Sequence, residues 1–317
     1  MWSTFKKKWY GTKKSLSCWF DNSALHDIST EPEKHKIDWL LIFPFILFHL
    51  LCLSVFWVGF SWTALTSAIV LYSVRMFAIT GFYHRYFSHR TFRTTRGWQF
   101  IFAILGNSAA QRGPLWWASH HRLHHKHSDT DADSHSPKIY GFWWSHVGWI
   151  ATRSTFNTFI KEVKDFAKFP ELRFLDRFPF LVPLLLAIIT YFVGWVLNQK
   201  FPGLGTNGLQ LLVWGFFLST VVLYHSTFTI NSLAHVWGTR RYATNDDSRN
   251  NFFLALLTFG EGWHNNHHLF PYSVRQGLFW WEIDITYYIL LLMSWLGIIR
   301  DLKYVQRQRV RTHRLLI

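Results

Sequence analysis

The chain carries only two cysteines in 317 residues, Cys18 and Cys52. Cys52 falls inside an apolar run, so no disulfide framework is expected. Neither lies near the histidines described below, which argues against a mixed Cys/His zinc site. Charge is also scarce, at 16% of residues against roughly 25% in typical soluble domains. Acids are the scarcer sign, 18 against 33 lysines and arginines. The sequence has no His-Glu-x-x-His, which disfavours a zinc protease. Its basic, polar start and late first apolar run make a cleavable signal peptide an unexpected feature. No internal repeat is visible.

What is present points to a bilayer. Half the residues are apolar and a fifth aromatic, with 19 Trp and 31 Phe, as in proteins whose rings sit at membrane interfaces. The net charge of +15 flanks the apolar runs, so we assign it to anionic lipid rather than nucleic acid. Trp39–Trp57 is nearly pure hydrocarbon and close to the length that crosses a bilayer. Pro44 is expected to kink it. A second span is read at about Trp62–Phe82, a third at about Phe178–Leu197 and a fourth at about Leu209–Ile230.

The fold class expected is an all-α integral membrane protein. Four transmembrane helices form two hairpins, capped by a cytoplasmic helical domain with a histidine-rich dimetal site. Residues 1–38 are read as a basic cytoplasmic arm on the membrane surface, with Lys6, Lys7, Lys8, Lys13 and Lys14. The first hairpin is 39–82, a cytoplasmic segment 83–177, the second hairpin 178–230, and a last cytoplasmic segment 231–317. The positive-inside bias places both termini and all histidine clusters in the cytoplasm. Arg75, inside the second span, is expected to snorkel to that side. Gly97–Ala110 reads as an interfacial or packed helix, 126–137 as loop, and Phe279–Ile299 as an amphipathic cytoplasmic helix.

Histidines carry the chemistry. Three clusters stand out: His84 with His89; His121, His124 and His125; and His264, His267 and His268. The last two share the spacing i, i+3, i+4, which places three imidazoles on one helical face, able to point at one place. His84 and His89 are five apart. On an α-helix they diverge, so they converge only if the helix ends between them, or each reaches a different metal. His235 adds a ninth candidate, and Asn231, four residues before it, could hold a metal-bound water. So many imidazoles exceed one tetrahedral zinc and suit two ions of higher coordination number. Asp129, Asp131, Asp133 and Glu261 are candidates to accept the outward ring N–H of a ligand histidine. His49 and His225, alone in apolar runs, are expected to be hydrogen-bonded core residues. His26, His35, His127, His135, His146 and His313 are expected to be structural or solvent-facing.

Assembled in order, these stretches resemble the membrane-bound fatty-acid desaturases, and within them the Δ9 stearoyl-CoA type. The matching segments are Gly81–Arg90, Trp117–His125, Ser145–Trp149, Asn231–His235 and Gly260–His268 followed by Phe270–Tyr272, and the likeness runs from about Trp39 to Lys303. It implies that His84, His89, His121, His124, His125, His235, His264, His267 and His268 hold two iron ions, with Asn231 acting through water. It implies that Trp117 and Thr227 line the bend of an acyl tunnel, with Gln111 nearby. Where animal acyl-CoA enzymes grip the CoA head group, this chain has Arg112 and Ser119, and His120 replaces an acid; Arg153 could still serve.

The resemblance implies an oxygen-dependent desaturase placing a cis double bond, at Δ9, in a saturated acyl chain. The partners expected are an acyl-CoA or acyl-lipid substrate, O2 and the bilayer, with no nucleic acid. No cytochrome b5-like segment is seen, so a separate electron donor of ferredoxin, rubredoxin or cytochrome b5 type is expected. The form resembles bacterial members, which suggests the inner membrane rather than the endoplasmic reticulum. The alternative is a related diiron membrane hydroxylase of alkyl, sterol or carotenoid substrates. A metal transporter would want polar residues within the spans. A haem-binding electron carrier would need paired histidines there, for which only His49 and His225 qualify.

Overall fold

The structure, a computed structural model, describes residues 15–25 and 36–312. Lys6–Lys14, His26, His35 and His313, with the expectations placed on them, lie outside those residues.

Four helices are long and apolar enough to cross a membrane: α1 (Trp39–Val58), α2 (Trp62–Ser88), α6 (Leu181–Lys200) and α7 (Gly208–His235). Asp38 starts α1 by accepting from the Leu40 and Leu41 amides (3.0 and 3.3 Å), satisfying two of the donors a helix start leaves free. Ser61 does the same for α2 through the Ala64 amide. Pro44 sits within α1, yet the regular winding breaks at Leu53–Ser54, where the amides bond three residues back.

The two hairpin turns meet at one end. Ser61 Oγ donates to Gln210 Oε1 (2.7 Å), Gln210 Nε2 to Val58 O (3.0 Å) and Trp214 Nε1 to Gly59 O (2.9 Å). The hairpins therefore run the same way, and the histidines gather at the other end. Within the 18-residue apolar stretch of each helix, only 6% of residues are buried in α1 and 17% in α6, against 44% in α2 and 56% in α7. The last two are thus the inner pair. They approach closely where a Cβ on Gly215 would stand 2.4 Å from Ser67 Oγ.

Arg75 corrects one expectation. It is 1% exposed. Its guanidinium donates to Thr220 Oγ1 (2.6 Å), Ser219 Oγ and Leu71 O (2.9 Å). It cannot snorkel because α2 does not end near Phe82. It continues to Ser88, about 20 Å beyond Arg75 at 1.5 Å per residue.

Further helices gather around that extension, among them α3 (Arg96–Asn107), α4 (Pro114–His127), α5 (Pro170–Arg177), α8 (His264–Leu269) and α9 (Ile285–Trp295). Phe82 stacks on Phe102 of α3 (3.9 Å, 4°). A Cβ on Gly106 would come within 2.1 Å of the Tyr83 ring, so only glycine lets α3 lie that close. A short antiparallel pair, Arg93–Thr94 with Ile299–Arg300, closes the back.

Two further expectations change. The helix read at Phe279–Ile299 is only Ile285–Trp295. Glu282 and Asp284 precede it and are fully buried, Asp284 capping it through the Tyr287 amide (2.9 Å). Residues 15–25 do not simply lie on a surface. Trp19 stacks on Phe43 (5.5 Å) and donates to Leu40 O (2.8 Å), while Asn22 Nδ2 donates to Asp176 O (2.9 Å).

Candidate metal centre

The last eleven residues of α2, Ala78–Ser88, wind as a π-helix and all are buried. In that winding each amide bonds five residues back rather than four, as His89 N does to His84 O (3.2 Å). Residues five apart then lie much closer to one face than they do in an α-helix. The helix also ends at Ser88, leaving His89 as its cap. Both features bring His84 and His89 together, with ring centroids 4.9 Å apart. π-turns of this kind are frequent at functional sites.

The imidazoles form two groups. Ligand atoms of His84, His89, His121, His125 and His267 lie within 4.8 Å of one another, as do those of His124, His235, His264 and His268. Neither i, i+3, i+4 cluster points at one place, as the spacing had suggested. His121 and His125, one full turn apart, join the first group, and His124 turns to the second. In α8 the division is reversed: His264 and His268 join the second group and His267 crosses to the first. A helical turn covers about 100° per residue, so the i+3 member is offset enough to reach a separate point.

Within the first group, Nε2 atoms stand 2.7 Å apart for His89 and His121, 3.0 Å for His121 and His125, 2.9 Å for His125 and His267, and 3.0 Å for His267 and His84. In the second, His235 and His264 are 3.1 Å apart. Nitrogens bound side by side to one ion at about 2.1 Å are about 3 Å apart, so the spacing fits a metal. His268 Nε2 is buried with no hydrogen-bond partner, as an atom reserved for an ion would be. An all-imidazole set suits iron, copper, nickel or zinc, and five donors exceed zinc's usual four.

Four of the outward nitrogens are held by carboxylates. Nδ1 of His84 meets Glu261 (2.5 Å), that of His124 meets Asp133 (3.0 Å), that of His235 meets Asp129 (2.9 Å) and that of His268 meets Asp246 (2.7 Å). Each contact fixes Nδ1–H and leaves Nε2 as the lone-pair face. Asp131, also a candidate, is exposed. Asp246 is not among the carboxylate candidates of the sequence; its pairing with Asp247 just before Ser248 is the signal the sequence offers. Gln276, unremarked in sequence, donates to Glu261 Oε2 (2.9 Å).

Burial, and then repulsion among the rings, hold His89, His121, His125, His264 and His267 well below the ordinary histidine range. Burial brings His268 down to about 4 despite Asp246. Neutral imidazoles are the metal-binding form. For His124 burial also works downward, but Asp133 leads the charges that outweigh it, and its pKa rises. Burial disfavours the Glu261 charge, yet His84 and Arg85 more than offset it, so its carboxyl stays below the usual range.

A cavity of about 440 Å³ adjoins the first group. Its walls include Phe45, Phe48, Tyr224 and Phe228 from the spans, Trp19 and Asn22 from the amino-terminal segment, and His121 and Asn231. Gln111, Arg112, Trp117 and Thr227 also line it. Gln111 Nε2 donates to Thr227 Oγ1 (2.8 Å) and Trp117 Nε1 to Gln111 Oε1 (3.4 Å). Ala110 and Arg112 adopt positive φ, +57° and +66°, a costly backbone for non-glycine residues that marks functional turns. Arg112 lies over the Phe156 ring (3.6 Å). Arg153 is not among the lining residues; its Nε donates to Asp38 (2.6 Å).

His49 and His225 are hydrogen-bonded to each other, Nε2 to Nε2 at 2.9 Å. That is too short to hold a haem iron between them, since two bonds of about 2 Å would need roughly 4 Å.

Comparison with known proteins agrees with this site. The family model "Fatty acid desaturase" matches residues 60–294. An sn-1 stearoyl-lipid 9-desaturase of Anabaena variabilis is 36% identical, covering 89% of this chain and 98% of that protein. An acyl-CoA 5-desaturase of Anemone leveillei is 39% identical, covering 89% and 88%. Delta-9 acyl-lipid desaturase 1 of Arabidopsis thaliana is 38% identical over 84% of each. A match across most of the length, together with four apolar helices and two histidine groups able to hold metal, shows that the chain belongs to the fatty acid desaturase family.

Proposed function

We propose that the protein introduces a cis double bond at Δ9 of a saturated acyl chain esterified to a membrane lipid, using O2 and two electrons from a separate donor. The observation that carries this reading is the apolar cavity running up to the first histidine group. The nine histidines named above would hold two irons, with Asn231 acting through water. Such a pair, when bound, supplies the O2 reduction and hydrogen removal that an unactivated alkyl chain requires.

The chain's own residues do the rest. Phe45, Phe48, Tyr224 and Phe228 give the acyl chain an apolar wall and exclude water. The Trp117–Gln111–Thr227 link crosses the cavity and fixes how deep the chain sits, which selects one bond. No side chain is basic enough to take a proton from such a carbon, so none is assigned an acid or base role.

An acyl-lipid carrier is supported by the names of the Anabaena and Arabidopsis relatives. It is supported too by Arg153, whose guanidinium is engaged by Asp38 rather than free for a CoA phosphate. The donor is a ferredoxin, rubredoxin or cytochrome b5 type protein with its reductase. Lysine and arginine bias supports a cytoplasmic site and termini, and likeness to bacterial members such as that of Anabaena variabilis supports a bacterial inner membrane.

The test is to feed expressing cells stearate deuterated on both hydrogens of carbons 9 and 10. Desaturation yields an oleoyl lipid that has lost one deuterium from each carbon. An alcohol that has lost a single deuterium would overturn the reading in favour of hydroxylation.

A further inference from the structure

The two histidine groups differ in what stands behind them. In the second, Asp129, Asp133 and Asp246 each take the outward N–H of a different histidine. Their other partners are neutral. Asp129 accepts from Ser136 Oγ (2.6 Å) and the Asp247 amide (2.8 Å). Asp133 accepts from the Asp129 and His135 amides (3.1 and 3.2 Å), with His135 Nδ1 3.5 Å away. Asp246 accepts from the Ser248 amide (3.0 Å). Among the described residues none of the three has a lysine or arginine within ion-pair distance. In the first group one carboxylate, Glu261, stands behind one of the five histidines, His84, and Arg85 lies against it (3.1 Å) while also pairing Asp284 (2.9 Å).

Two buried negative charges, Asp129 and Asp133, and a part-buried one, Asp246, with no cation paired to their carboxylates, are costly unless an ion neutralises them. A carboxylate behind a ligand imidazole also makes it a stronger donor, and losing one typically lowers metal affinity roughly 10–100-fold. The second group has three such partners; the first has one, whose charge Arg85 offsets in part while shared with Asp284. The first group's extra imidazole opposes this with one neutral ligand.

We propose that these three carboxylates make the metal positions unequal, so that the second group retains its ion under conditions that strip the first. Asp129, Asp133 and Asp246 are thus positioning residues that set the order of metal loading. This rests on the dimetal reading given above.

The full-length chain, purified in detergent and reloaded with ferrous iron, is titrated with a chelator, desalted and analysed for iron and by Mössbauer spectroscopy. The expected result is a plateau at one iron per chain, with a single quadrupole doublet. His89→Ala begins at that plateau and releases its iron at the same late chelator concentration as wild type. Asp246→Asn keeps an oxygen for His268 but removes the charge. It releases the late iron at roughly 10–100-fold lower chelator, Asp246→Glu restores retention, and Glu261→Gln leaves the late release unmoved. Loss of both irons in one step, or a late release moved by Glu261→Gln and not by Asp246→Asn, overturns the proposal. A wild-type chain that takes up no iron overturns the dimetal reading beneath it.

Discussion

His121 and His124 lie one turn apart on α4, and their rings, 6.2 Å apart, belong to different groups. Each alanine variant should therefore strip a different metal position. His121→Ala and His124→Ala both lower product formation by more than the roughly 100-fold that loss of a supporting partner can cost. Their iron contents fall, and their Mössbauer spectra lose different doublets. Identical residual spectra would contradict the division into two groups.

Gln111 and Thr227 should govern where the chain is cut into. Gln111→Leu removes a 2.8 Å hydrogen bond worth about 1 kcal/mol and loosens the cavity bend. The expected products spread to bonds on either side of the original, with conversion kept within about tenfold. Derivatised fatty acids read by mass spectrometry report this directly.

Among the described residues Arg75 has no carboxylate partner; its hydrogen bonds go to hydroxyls and a carbonyl. Its hydroxyl partners keep acceptors of their own, since Ser219 and Thr220 also donate to Gly215 O and Phe216 O. Arg75→Met should consequently shift stability by only about 1 kcal/mol. Arg75→Ala leaves a void between α2 and α7 and should cost about 2–4 kcal/mol. Thermal unfolding in detergent separates the two.

His146 is buried, and burial pushes its pKa below the usual histidine value. The unfolded chain then binds a proton more readily than the folded one. Stability from this group is complete above the unfolded value of about 6.5 and is lost as pH falls through the lower folded value. The unfolding temperature should drop on acidification below that point, and the drop should shrink in His146→Gln.

Much of this was legible in the residues themselves. Hydropathy located four spans, and the eight clustered histidines with His235 all reach the two groups. The parts that were not legible depended on winding and on distant packing. The π-turns at Ala78–Ser88 lengthen α2 past Phe82, pair His84 with His89 and bury Arg75, and no local pattern announces them. The crossed allegiance of His124 and His267 depends on how α4 and α8 face each other. Asp246 reaches His268 from a loop, where charge in sequence reads as solvated. Trp19 and Asn22 belong to a stretch whose lysines drew attention away from its apolar face.

The most direct test is the fatty-acid profile of cells that make few unsaturated acids, expressing this chain or its His124→Ala variant. Double bonds are located by derivatisation and gas chromatography–mass spectrometry. The account predicts new Δ9 mono-unsaturated acids with the wild-type chain and none with the variant. Hydroxylated acids in their place, or equal unsaturation with the variant, would contradict it.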